Sequence, residues 1–99
     1  MKVRFHPDAR IEVTEVRKWY YERSPLSALA FAHAVESAIS RIEGTPTQYP
    51  SAEHRTHKLV LQRFPFSIFY VTFESEIVIV AVAHQKRRPG YWSSRVTTT

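Results

Sequence analysis

The chain has 99 residues, 43% of them hydrophobic and 23% charged, enough for one modest core burying roughly 60–70% of the unfolded surface. Gly is too scarce for a low-complexity or collagen-like protein, and the absence of cysteine excludes a disulfide framework, a thiolate nucleophile and a zinc–thiolate cluster. The formal charge of +5 lies in the second half: residues 1–50 carry 7 Lys and Arg against 6 Asp and Glu, and residues 51–99 carry 7 against 3. That imbalance favours an acidic protein, a nucleic acid or an anionic surface as partner without choosing among them.

MKVRFHPDAR lacks the continuous apolar stretch of a signal peptide, and no apolar run approaches the roughly 18 residues that a membrane span needs. The expectation is a cytoplasmic protein without a membrane partner. Met1–Phe5 alternates, with Val3 and Phe5 on one side and Lys2 and Arg4 on the other, which predicts a short, half-buried, peripheral strand. His6-Pro7-Asp8 then starts a helix, because Pro lacks an N–H that the first turn leaves unpaired and Asp8 complements the helix dipole. Ala9, Val13, Val16 and Tyr20 trace its apolar face, Glu12, Glu15, Arg17 and Lys18 fall largely off that face, and the helix ends near Arg23.

Ser24-Pro25 repeats the start signal. Ala28, Phe31 with Ala32, Val35, Ala38 with Ile39, and Ile42 carry the stripe of a second helix, with Gly44 as its stop. Two helices joined so closely predict an antiparallel hairpin. Thr45–Glu53, with two prolines, reads as a surface connection.

From Arg55 the period is two. Lys58–Leu61 forms a second strand, Arg63-Phe64-Pro65 interrupts, and Phe66–Phe73 forms a third. Glu74-Ser75-Glu76 turns tightly into the apolar run Ile77–Ala83, which does not alternate and so predicts a strand covered on both faces at the centre of the sheet. Helices would cover one face, and Phe69, Tyr70 and Trp92 the other. The predicted fold is α+β, in the order β-α-α-β-β-β, with an antiparallel sheet and a helical hairpin packed on one face. Residues 1–95 make a single domain, and 96–99 a frayed, disordered tail.

ALAFAHAVESAISRI on the second helix, RFPFSIFYV into the third strand and IVIVAVAHQKRRPGYW through the fourth resemble the RelE/ParE toxin superfamily, in its ParE-like, plasmid-stabilisation branch. The resemblance covers nearly the whole chain. It implies the toxin of a bacterial type II toxin–antitoxin pair, silenced by a cognate antitoxin in a hetero-oligomer. ParE-like members inhibit DNA gyrase and need no catalysis. RelE-like members cleave mRNA on the ribosome with arginine, lysine and tyrosine. Placed on that pattern, the catalytic tyrosine falls on Tyr91 and one strand lysine on Lys58, whereas Val60, Ser67 and Gln85 stand where cations are wanted. Losing one preorganised donor costs about 100- to 1,000-fold in rate. The resemblance therefore favours a gyrase-directed inhibitor over an enzyme. The alternatives are a ribosome-dependent endonuclease using Lys58, Arg87 and Tyr91, and a non-toxic binding module of the same fold.

Lys86, Arg87, Arg88 and Tyr91 are the expected target-binding residues, set against the bland alternative of a solvated loop. Trp19, Tyr20 and Tyr21 cannot all face inward from one helix, so with Arg87 they form the expected antitoxin surface. Arg63, His84 and Trp92 are read as structural: a turn former, a hydrogen-bonded anchor and a packing residue. His6, His33, His54 and His57 show no metal-ligand spacing, and neither metal nor cofactor is expected.

Overall fold

A computed structural model describes residues 1–97. Strand β1 (Lys2–Phe5) runs directly into helix α1 (Pro7–Arg23). His6 caps that helix, its Nδ1 accepting the Asp8 N–H at 3.1 Å, with Pro7 in the first turn. Ser24 then serves two helices at once. Its N–H donates to the Tyr20 carbonyl at 2.7 Å, closing α1. Its hydroxyl accepts the Ser27 N–H at 3.4 Å, opening α2 (Pro25–Gly44). A single extended residue between the helices folds them into a hairpin, and α2 buries Ala28, Phe31, Val35, Ala38 and Ile42.

Strands β2 (His57–Val60), β3 (Phe66–Phe73) and β4 (Glu76–His84) complete a four-stranded sheet in the order β1-β4-β3-β2. β3 and β4 pair antiparallel across a tight turn in which Glu74 takes a left-handed conformation, φ 54°. β2 and β3 also pair antiparallel. β1 lies parallel to β4, with Val3 opposite Ile77, so the sheet is mixed where the sequence predicted an antiparallel one. β4 lies between β1 and β3, the central place expected of it.

The sheet has a core on each face. Toward the helices, Phe31, Ile42, Ile68, Ile77 and Ile79 are fully buried. On the opposite face Phe69, Val71, Val78, Val80 and Trp92 form a second cluster. Tyr70, expected on that outer face, belongs to the inner one, because consecutive strand residues point to opposite sides and Phe69 already points outward. The apolar run of β4 loses its alternation for a second reason besides two-sided burial. The register shifts between Phe69↔Ala81 and Tyr70↔Ile79, leaving Val80 as an extra residue. Val80 and Ala81 therefore both join the outer cluster.

A short helix, α3 (Ser93–Thr97), follows Trp92, and Val96 packs against the outer cluster. The predicted tail began at Val96, which lies within this helix; Thr98 and Thr99 lie outside the described residues.

Tyr70 ties the inner core to the connection after α2. Its side chain is fully buried, its ring stacks on His57 at 5.3 Å, and its hydroxyl donates to the Pro46 carbonyl at 2.7 Å. Burial, reinforced by Tyr49, pushes the phenol from 10.0 up to about 12. The fold thus favours the protonated phenol. Its contribution to stability is complete below pH 10 and is lost as pH rises through about 12. Denaturant unfolding across that range should show falling stability, with a shallower fall in Tyr70→Phe, which should also cost about 1 kcal/mol at neutral pH through the lost hydrogen bond. An alkaline slope identical in the two proteins contradicts the assignment.

Candidate functional site

The outer face of the sheet opens into a cleft of about 240 Å³ where β4 ends. Strand register builds one wall: Lys58 opposite Phe69, and Ser67 opposite Ala83, place both side chains on the outer face. The chain leaving β4 builds the other, with Gln85, Arg87, Arg88 and Tyr91. His84 shapes that departure, its Nδ1 accepting the Lys86 N–H at 3.0 Å and its carbonyl accepting the Arg87 N–H at 3.0 Å. Its ring meets Phe66 edge-on at 5.1 Å.

Gly90 then reverses the chain at φ 74°, where a Cβ would lie 3.3 Å from Nε2 of His54. That reversal lets Trp92 fold back onto Phe69, ring centroids 4.6 Å apart, with 1% of its surface exposed. The cleft floor is therefore the outer core itself.

Its electrostatics are cationic, with Glu53 as the acidic lining residue beside Lys58, Arg87 and Arg88. The Arg87 guanidinium lies 3.8 Å above the Tyr91 ring, and Lys58 Nζ lies 5.6 Å above that of Phe69. The Tyr91 hydroxyl points away from this charge and donates to Glu12 Oε2 at 2.5 Å. Burial first, and then the Glu12 hydrogen bond and charge, hold the phenol well above its ordinary value. Such a group is a poor proton acceptor at neutral pH. Ser67 is buried and short, Gln85 is neutral, and Val60 is half exposed on β2. The cleft lining thus carries Lys58, Arg87 and Arg88 alongside the uncharged Ser67 and Gln85.

The structure brings Lys58, Arg87, Arg88 and Tyr91 into one cleft and leaves Lys86 exposed beside it. Trp19 and Tyr21, 50% and 63% exposed, point outward from α1. The Arg23 guanidinium covers the Trp19 ring at 3.6 Å. Tyr20, grouped with them from the sequence, is half-buried and packs edge-on to Phe64 at 5.3 Å and beside Phe31, because it continues the Ala9–Val13–Val16 stripe. It also lines an apolar groove of about 500 Å³ with Val16, Trp19, Pro65, Phe66 and His84. Arg63 is exposed near Phe64, His33 and Arg41, and it pairs with no carboxylate among the described residues.

Glu12 escaped the sequence reading, which set it off the apolar face. A signal was available: it stands three residues after Ala9 and four before Val16, so it borders the buried stripe, where a carboxylate needs partners. Among the described residues no His, Asp or Glu cluster could hold a metal, and no helix is long and apolar enough to cross a membrane.

A mixed sheet backed by a helical hairpin, with a cationic cleft past its central strand, defines a small α+β domain. The same fold occurs in a solved chain of the chromosomal ParDE TA system from P. aeruginosa, with a TM-score of 0.75 at 20% identity over 85% of this chain and 95% of that one. The family model for the ParE toxin of type II toxin–antitoxin systems, parDE, matches residues 3–89, and the chain belongs to that family. No curated protein matches it in sequence.

Trp92 carries the packing of the cleft floor. Trp92→Ala should cost about 3–5 kcal/mol and lower the melting midpoint by about 10 °C or more, whereas Arg88→Ala should stay within about 0.5 kcal/mol. Calorimetry of both variants checks this, and comparable losses in the two would refute the distinction.

Proposed function

We propose that this toxin acts by binding: it engages DNA gyrase in the cytoplasm, stabilises the enzyme's cleaved complex with DNA, and catalyses no reaction of its own. Residues 1–95, with Val96 of α3 packed on the outer core, form the acting unit. The observation that carries the reading is the cleft, cationic through Lys58, Arg87 and Arg88, yet holding Ser67 and Gln85 where cleavage of a phosphodiester wants cations, with its tyrosine hydroxyl bonded to Glu12. Arg87 and Arg88, with Lys86 beside them, supply the target contact. A surface of this charge accelerates and orients encounter with an acidic partner.

A cognate antitoxin keeps the toxin silent. Its acidic segment, folding as it binds, would cover Trp19 and Tyr21 on α1 and reach Arg87. Family membership supports such a partner.

The competing reading is ribosome-dependent mRNA cleavage through Lys58, Arg87 and Tyr91. Purified toxin should inhibit gyrase supercoiling and leave mRNA intact on programmed ribosomes, with antitoxin restoring supercoiling. Cut mRNA with unimpaired supercoiling would establish the competing reading, and neither effect would point to a binding module without a toxic target.

A further inference from the structure

β4 runs from Glu76 to His84, yet β1 pairs only with Glu76–Ile79. Beyond Ile79, two backbone groups of β4 are met by side chains instead of a strand. Arg95 Nη1 donates to the Val80 carbonyl at 3.1 Å, and the Val82 N–H donates to Glu12 Oε1 at 3.0 Å. Glu12 and Arg95 also pair with each other at 3.0 Å, each side chain only 14% exposed. Asp8 lies 3.8 Å from Arg95 on the open side. With the Tyr91 hydroxyl on its second oxygen, the Glu12 carboxylate receives three donors, from β4, the cleft wall and α3.

We propose that Glu12 is a positioning residue for the cleft: its carboxylate replaces the strand that β1 does not supply and clasps residues 87–95 to the edge of β4. The chemistry requires a carboxylate of this length. Two oxygens offer about four lone-pair sites, enough for three donors, and bonds from a guanidinium to an ionised acceptor are the strong ones. Glutamine would keep one carbonyl oxygen for Val82 and Arg95, but it turns an amide toward Tyr91 and loses the charge that faces Arg95. Aspartate is one methylene short. The clasp also aligns Arg87, which stacks on the Tyr91 ring. Membership of the family does not imply this arrangement, since the match ends at residue 89 and two of the three donors lie beyond it. The bearing on target contact rests on the function proposed above; the clasp itself does not.

Amide hydrogen exchange and NOE contacts, measured by NMR on the whole toxin alone, test the clasp without reference to any target. In Glu12→Ala the amides of Val82 and of residues 91–95 should exchange at least about 10-fold faster, Arg87–Tyr91 contacts should vanish, and Ile68 and Tyr70 in β3 should stay within about 3-fold of wild type. Glu12→Gln should fall between, a partial rescue by shape without charge. Glu15→Ala, one turn on, should change none of these. If Glu12→Ala does not fold, Tyr91→Phe serves: residues 90–92 should exchange faster while Val82 stays protected by Glu12. Unchanged exchange at residues 91–95 in Glu12→Ala, or at residues 90–92 in Tyr91→Phe, overturns the proposal. So does equal acceleration at every amide, which would mean only a general loss of stability.

Discussion

A strand buried on both faces needs two covers, and that requirement at β4 organises the whole chain. Ile77–Ala83 are each at most 5% exposed, and burying each Val or Ile side chain contributes about 1.5–3 kcal/mol. The helical hairpin supplies the inner cover through Phe31, Val35 and Ile42. The outer cover comes from the chain's own C-terminal stretch, Trp92 and Val96 folding back over Phe69, Val71 and Val78. Without it the sheet would expose a continuous apolar patch of the kind that drives association. The segment that covers the core is also the segment that carries Arg87, Arg88 and Tyr91. The outer packing and the cationic wall thus belong to one segment, and the wall stands on a packed base.

That sharing explains how charge is divided in the second half of the chain. Arg95 turns inward and is neutralised by Glu12 and Asp8. Lys86, Arg87 and Arg88 stay exposed. Exposed cations interact weakly with any single partner charge and are screened by salt. A cluster of such cations is suited to steering an acidic surface. Phosphoryl-transfer chemistry asks for something different, donors fixed around the charge that develops on the reacting phosphate. Ser67 and Gln85 do not provide that charge, and Tyr91 has its hydroxyl committed to Glu12.

Much of the fold was legible because its signals are local. Pro7, Ser24-Pro25 and Gly44 mark helix ends by the chemistry of their own backbone, and the helices begin and end at those residues. The central place of β4 followed from composition alone. The parallel pairing of β1 had no local signal, since a four-residue alternating segment fits either direction. The bulge at Val80 was hidden in a run where every residue is apolar. The cleft was legible only through the family resemblance, because Lys58, Ser67 and Tyr91 meet through strand register and a glycine reversal, not through spacing. Tyr20 was read both as part of the apolar face of α1 and as one of three adjacent aromatics, and its helical phase leaves it half-buried against the core. Glu12 was overlooked by treating a charge beside an apolar stripe as solvated.

The central claim is that the wall after β4 recognises its target by charge on a packed scaffold. It is tested most directly by measuring the affinity of purified gyrase for the wild-type toxin and for a doubly charge-reversed variant, Arg87→Glu with Arg88→Glu, after calorimetry has shown that the variant keeps its fold. The account predicts that binding falls by about 100-fold or more, as expected when contacts at the centre of an interface are reversed. Unchanged affinity in the folded variant would contradict it.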